Sequence, residues 1–217
     1  MQVLSRKLNK DKTRKSYSRV AWMYNYWSKM TESRAAQKVI ELADITDGQD
    51  IADIACGTGM VFKEIVARNP HGNNLGIDLS PAMLLRAKKL LEAEHKGNYT
   101  LMEGDILQLD VEDNSFDTVV NNFMIDLMPE ETFDTIISEF FRILKPGGIA
   151  VISVFSPGTT RSNRMWGWIA KYFPDLLTGC RPVVINENLE RMGFKIESEI
   201  EISQNTFPST VYKARKD

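Results

Sequence analysis

Apolar and polar positions change their period along this chain, and each change predicts an element. Ile51–Ala55 is an apolar run carrying one acid, Asp53, and reads as a strand. It breaks into Cys56-Gly57-Thr58-Gly59, where glycine supplies the backbone freedom of a tight turn. The pattern then becomes amphipathic, with Met60, Val61, Ile65 and Val66 apolar and Lys63, Glu64 and Arg68 polar. This predicted helix stops before Asn69-Pro70. Short apolar runs at Asn74–Ile77, Tyr99–Glu103, Thr118–Asn122 and Ile149–Phe155 predict four further strands. Between them, Ser80 as cap and Pro81 in the first turn open a helix running through Met83, Leu84, Ala87, Leu90 and Leu91. Another helix is predicted from about Pro129 to Leu144, with Lys145-Pro146-Gly147-Gly148 as its stop.

The flanks follow a different grammar. Two helices are predicted ahead of the first strand. One spans about Ser16 to Met30, with an aromatic stripe through Tyr17, Tyr24 and Trp27; the other runs from Ser33 to Ala43. After the fifth strand, Thr159 to Phe173 reads as helical and is rich in Arg and Trp. Asn186 to Met192 reads as a short helix closed by Gly193. Lys195–Ile202 and Asn205–Tyr212 lie too close together for an intervening helix and must pair as an antiparallel hairpin. Strands alternating with helices imply an α/β fold: a mostly parallel sheet with helices on both faces, here closed by the hairpin. The expected organisation is an N-terminal helical cap over residues 1–46 and one domain over 47–217, with an insert at about 159–184.

Composition narrows the classes. A chain of 217 residues with 43% apolar and 26% charged residues is a globular domain able to bury a core. A net charge of −2 argues against general nucleic-acid binding. Seven of the eight charged residues between Met1 and Arg19 are basic, so the amino terminus is a candidate for peripheral contact with an anionic membrane. Cys56 and Cys180 stand far apart, with no metal-ligand spacing, so no metal is expected. The absence of a signal-peptide pattern and of a long apolar run leads to the expectation of a cytoplasmic protein.

Candidate chemistry gathers at strand ends. The first strand delivers Asp53 and the glycine turn, the second ends at Asp78, the third at Gly104-Asp105, and the fourth at Asn121-Asn122. In an open parallel sheet, ligands bind outside these ends. An acid closing the second strand can hold both hydroxyls of a ribose, and one after the third can accept from an exocyclic amine. The set predicts a nucleoside site. On these residues alone a nicotinamide-dependent oxidoreductase stays open, although Met60-Val61-Phe62 stands where a third glycine would be expected.

Several segments together resemble the class I S-adenosylmethionine-dependent methyltransferases. They are Asp53–Gly59, Gly76–Leu84, Glu103-Gly104-Asp105, Ser115-Phe116-Asp117 and Arg142–Gly148. The resemblance implies a Rossmann-like seven-stranded sheet with an antiparallel last strand, and S-adenosylmethionine as cofactor. The cofactor contacts it implies are Asp53, Ala55, Cys56, Gly57 and Gly59; Asp78, Leu79 and Met83; Gly104, Asp105 and Ile106; and Asn121 and Asn122. Within the group the chain is similar to ubiquinone/menaquinone C-methyltransferases and bacterial phospholipid N-methyltransferases. Val20-Ala21-Trp22-Met23-Tyr24-Asn25 carries that likeness, and Ile125-Asp126-Leu127 departs from the Leu-Arg-Asn of the quinone enzymes. No Asn/Asp-Pro-Pro-Tyr motif follows the fourth strand, which disfavours methylation of a nucleobase amine.

Such an enzyme works by in-line displacement on an already activated methyl group, so positioning carries most of the catalysis. The expected partner is a small-molecule acceptor, lipid-like or amphipathic: a quinone precursor or an amine headgroup. Asp126 is the candidate to accept a proton or bind a cationic amine. Tyr24 is the candidate to close over the cofactor's amino-acid end. A non-catalytic cofactor-binding protein is the alternative from another class.

Overall fold

A computed structural model describes residues 30–94, 97–173, 177 and 179–217. Tyr24 and the basic amino-terminal segment lie outside the described residues. In chain order the elements are α1 (Ser33–Ala43), β1 (Asp50–Ile54), α2 (Met60–Arg68), β2 (Asn73–Asp78), α3 (Pro81–Glu94), β3 (Thr100–Glu103), β4 (Phe116–Asn122), α4 (Phe133–Ile143), β5 (Leu144–Phe155), α5 (Arg161–Tyr172), α6 (Asn186–Arg191), β6 (Phe194–Gln204) and β7 (Phe207–Lys216). Seven strands form one sheet in the order β3-β2-β1-β4-β5-β7-β6. The first five are parallel, and β7 runs antiparallel to both β5 and β6.

Strand periodicity sorts the core into two layers. Successive side chains on a strand point to opposite faces. Ala52, Val119, Ala150 and Ile152 therefore join one cluster with α4 and α6, through Ile136, Ile137, Phe140 and Leu189. Ile51, Val120 and Val151 join the other, with Val39 and Ile40 of α1, Phe62 and Ile65 of α2, and Ala170 of α5. The chain leaves β1 for β2 and β3 on one side, then crosses to β4 on the other. The crevice between β1 and β4 is the switch point where open sheets hold ligands.

Two boundaries differ from the sequence pattern. The helix ends at Ile143, within a residue of the expected stop, but Lys145-Pro146-Gly147-Gly148 is no separate turn; it belongs to β5, which starts at Leu144. Pairing jumps from Phe116↔Leu144 to Thr118↔Ile149, so these four residues bulge out of the ladder, with Gly147 at φ +78°. The helix expected from Pro129 starts only at Phe133, because Glu130–Thr132 forms a 3₁₀ turn first. The bulge has a use. It brings the Lys145 Nζ within 2.6 Å of Asp50 Oδ2 and 3.0 Å of Asp117 Oδ2, tying three strand starts together. Asp117 also accepts the Asp50 backbone N–H at 2.8 Å.

The basic tail is part of the fold. Lys216, at the end of β7, is 8% exposed. Its Nζ donates to Phe141 O and Leu144 O at 2.7 Å and to Asn114 Oδ1 at 2.8 Å, and it sits 4.7 Å from the centre of the Phe141 ring. All three donor hydrogens are satisfied, which is what lets an ammonium remain buried. Lys216→Met leaves two buried carbonyls without a partner and should lower unfolding stability by about 2–4 kcal/mol in urea titration. A loss under about 0.5 kcal/mol would show that water replaces the ammonium at no cost.

Candidate active site

The site is built at the carboxyl ends of β1, β2 and β4. As β1 ends, the backbone turns left-handed three times within five residues, at Ala55 (φ +61°), Gly57 (φ +57°) and Gly59 (φ +83°). Alanine in this region is disfavoured, and such strain concentrates at functional sites. Phe123, just past β4, is left-handed too, at φ +53°. Two strained residues thus flank the switch point from neighbouring strands. The glycines were legible in the sequence; Ala55 and Phe123 were not, because only glycine advertises that conformation by type.

Each glycine has its own reason. A Cβ on Gly59 would lie 2.9 Å from the Ala87 Cβ, so close approach of α3 excludes a side chain there. A Cβ on Gly57 would meet nothing within 4 Å; that position faces open space. Gly104 packs tightly, with a Cβ position 2.8 Å from the Ile77 side chain.

Asp78 binds the turn to the second strand. One carboxylate oxygen accepts the Gly57 N–H at 2.8 Å and the other the Ser80 N–H at 2.8 Å. Burial pushes its pKa up, and these two donors pull back against that rise. Each oxygen keeps a further lone pair. Leu79, directly after it, is 39% exposed, while Met83 in the first turn of α3 is buried. Asp105 accepts the Leu107 N–H at 3.1 Å, and Ile106 beside it is buried.

Asp53 is a different kind of acid. It is 1% exposed, and neither carboxylate oxygen has a hydrogen-bond partner among the described residues. Burial first, and the Asp78 charge second, raise its pKa well above the usual carboxylate range. Cys56 is buried as well. Its N–H donates to Ile77 O and its carbonyl accepts from the Gly59 N–H, both at 2.9 Å, and burial pushes its thiol well up. Cys56 therefore shapes the turn and is no thiolate nucleophile.

Asn121 and Asn122 serve the backbone and the sheet. The Asn121 Nδ2 donates to Ile54 O at 2.7 Å, clamping β4 to the last residue of β1, and its Oδ1 is buried without a partner among the described residues. The Asn122 Oδ1 accepts from the Ser153 hydroxyl.

Asp126 lies in a 3₁₀ turn, Ile125–Leu127, immediately beyond β4. It is 1% exposed, and burial raises its pKa to about 7 against smaller opposing effects of its own backbone, the Cys180 thiol and the Arg181 charge. The segment after α5 folds back over it. The Arg181 N–H donates to Asp126 O at 3.1 Å, the Arg181 guanidinium donates to Met128 O at 2.7 Å, and that guanidinium stands 5.4 Å from the Phe133 ring centre. Cys180 and Arg181 were invisible as neighbours of Asp126 in the sequence, since more than fifty residues separate them. His71 is exposed and pairs with Asp47 at 2.7 Å, away from this edge, and no metal-holding cluster of His, Cys, Asp or Glu occurs among the described residues.

Comparison with known proteins agrees with this geometry. Residues 51–148 match a family model described as a methyltransferase domain. Demethylmenaquinone methyltransferase of Lactococcus lactis subsp. lactis is 36% identical over 117 residues, covering 54% of this chain and 45% of the relative. Arsenite methyltransferase of Halobacterium salinarum is 27% identical over 140 residues, covering 64% of this chain and 34% of the relative. The chain spans about half the length of the demethylmenaquinone methyltransferases it matches first. Among solved structures, magnesium protoporphyrin IX methyltransferase from Synechocystis PCC 6803 with bound SAH superposes with a TM-score of 0.75 at 20% identity. That match covers 96% of this chain and 99% of the other. A methyltransferase-domain match running from β1 through the β5 bulge, on a seven-stranded sheet with its antiparallel hairpin, makes the chain similar to the class I S-adenosylmethionine-dependent methyltransferases in sequence motif and in fold.

Proposed function

We propose that this chain transfers the methyl group of S-adenosylmethionine to a small amphipathic acceptor bearing an ionisable hydroxyl, of the quinol or phenol class. The observation that carries the cofactor half is Asp53, a buried carboxylate with neither oxygen partnered among the described residues. A buried charge is costly unless something pairs with it. The α-ammonium of the cofactor is a cation of the right kind for Asp53. The rest of the edge fits the nucleoside: free lone pairs on Asp78 for ribose hydroxyls, open space at Gly57, and Leu79, Asp105 and Ile106 for the base. When bound, S-adenosylmethionine supplies a methyl group on a sulfonium, activated without help from the protein.

The acceptor half rests on Asp126. With a pKa of about 7 it is divided between its acid and carboxylate forms at neutral pH, the condition that favours a general base. As a carboxylate it takes the proton from the acceptor hydroxyl, leaving an oxyanion whose charge spreads into the ring and makes oxygen or carbon nucleophilic. The Arg181 N–H, bonded to the Asp126 carbonyl, fixes the turn that carries it. The names of the quinone-modifying relatives support an acceptor of this class. Cys56 and Cys180 are not joined in a disulfide, in keeping with a reducing compartment, and we place the reaction in the cytoplasm.

Asp78→Asn keeps the shape of the side chain but turns one acceptor into a donor that faces a backbone N–H. Affinity for S-adenosylhomocysteine, measured by calorimetry, should fall about 10- to 100-fold; undiminished affinity would remove Asp78 from the ribose. With labelled cofactor and a panel of quinols, phenols, amines and thiols, turnover is expected on the hydroxyl acceptors. Asp126→Asn should lower that kcat about 100-fold and leave cofactor affinity intact. Turnover confined to amines or thiols, or kcat insensitive to Asp126, would contradict this acceptor assignment.

A stability measurement addresses Asp126 without substrate. Its folded pKa of about 7 exceeds the ordinary aspartate value of 3.8, so the folded state holds the proton more tightly. The stability linked to that proton is complete below pH ~3.8 and is lost as pH rises toward ~7, by up to about 4 kcal/mol for three pKa units. Asp126→Asn lacks this loss. Its stability relative to the parent should climb between pH 4 and pH 7 and then level off; a difference that stays constant with pH would show that Asp126 is not buried as a titrating acid.

A further inference from the structure

The insert helix α5 has two faces of opposite character. Asn163 and Ala170 are buried, and Trp166 packs edge-on against Phe207 of β7 at 5.4 Å, which seats the helix on the hairpin. On the other side, Arg161, Met165, Trp168 and Tyr172 fall within about 60° of one another at ~100° per residue. That stripe is open to solvent: Met165 is 49% exposed, Trp168 56%, Tyr172 56%, and Phe173, just past the helix, 50%. Four of the nine exposed large apolar side chains among the described residues therefore sit in one nine-residue stretch. The three aromatics lean together, with Trp168 5.2 Å from Tyr172 and 5.7 Å from Phe173 between ring centres.

The charge around this stripe runs against that of the molecule. The whole chain carries −2, yet Arg161 to Phe173 holds three basic residues and no acid. Arg161, Arg164 and Lys171 are exposed and border the aromatic stripe. We propose that α5 docks this protein on an anionic phospholipid bilayer, with Trp168, Tyr172 and Phe173 at headgroup depth and the three basic residues on lipid phosphates. Trp and Tyr favour the membrane interface because one end of each ring system is polar, and basic side chains near an anionic leaflet add attraction that salt screens. Charge complementarity argues for this occupant: three basic side chains beside three exposed aromatics match the phosphates and the interface of an anionic leaflet. Because α5 follows directly from the carboxyl end of β5, docking would bring the strand-end site toward the bilayer surface.

The test is flotation of the full chain with vesicles of phosphatidylglycerol and phosphatidylcholine in equal parts, against pure phosphatidylcholine, at low and high salt. Vesicle binding is read without cofactor or acceptor, so it stands or falls apart from the methyl-transfer reading. Binding to the anionic vesicles, weaker in salt, is expected. Arg161→Gln with Arg164→Gln, and separately Trp168→Ser with Tyr172→Ser, should each lower the partition coefficient about tenfold or more. Trp168→Phe should retain most of it. A circular-dichroism melt within a few degrees of the parent shows that each variant is folded. The control neutralises Arg6, Lys7 and Lys10 in the basic amino terminus and is expected to retain most of the binding. No binding to anionic vesicles would overturn the proposal. So would binding that survives both α5 double variants, or that is lost only with the amino-terminal charges. A concentration-dependent dimer that Trp168→Ser with Tyr172→Ser dissolves would assign the face to a second copy instead.

Discussion

One carboxylate joins the two strand ends on which the site depends. Asp78 closes β2, and by accepting the N–H of Gly57 it holds the turn leaving β1 in its left-handed course. By accepting the Ser80 N–H it also sets the start of α3, and α3 in turn presses Ala87 against Gly59. Strand, turn and helix are thus mutually positioned through one side chain. Alanine at this position would leave two N–H groups without an acceptor in a half-buried place, where each unmade bond costs ~1–3 kcal/mol.

Much of the fold was legible because its signals are local. Among the described residues amphipathic periods located the helices to within a few residues, while the helix expected over about Ser16 to Met30 lies outside them; the spacing of the last two strands forced a hairpin. Departures came where a long-range contact outweighed a local rule. Lys145-Pro146-Gly147-Gly148 carries the residues of a stop, yet Lys145 finds Asp50 and Asp117 across the sheet and the stretch stays in β5 as a bulge. Lys216 looks like a solvated tail residue until the carbonyls of Phe141 and Leu144 surround it. Neither partner is near in sequence, so no window of neighbouring residues could reveal it.

The candidate site divides in the same way. Its proposed cofactor side rests on consecutive strand ends, which residue type and position locate: an acid at β2, a glycine turn at β1, an acid after β3. Its acceptor side is assembled from a 3₁₀ turn after β4 and a segment more than fifty residues later, and the property that matters at Asp126 is burial, which residue type does not encode. Asn121 shows the reverse case. Its position at a strand end suggested a ligand contact; what no window of sequence shows is that its Nδ2 clamps Ile54 O and its Oδ1 is left without a partner among the described residues.

A comparison within single strands shows where the molecule carries its unresolved electrostatics. Asp50 and Asp53 lie three residues apart on β1. At the amino end, the Lys145 hydrogen bond holds Asp50 below the usual carboxylate range. At the carboxyl end, burial drives Asp53 well above it. β4 repeats the contrast: Asp117 near its start is paired with Lys145, while Asp126 just past its end is buried and raised to about 7. Left-handed residues occur at both edges, but Asp44 and Asn114 at the amino edge are of types that tolerate that conformation, whereas Ala55 and Phe123 at the carboxyl edge are not. Folding alone gives no reason to satisfy one end of a sheet and leave charge and strain at the other, because both ends border the same two apolar layers. The proposed cofactor and acceptor, bringing a cation to Asp53 and a proton to Asp126, would account for the asymmetry and for its location at the switch point of the sheet.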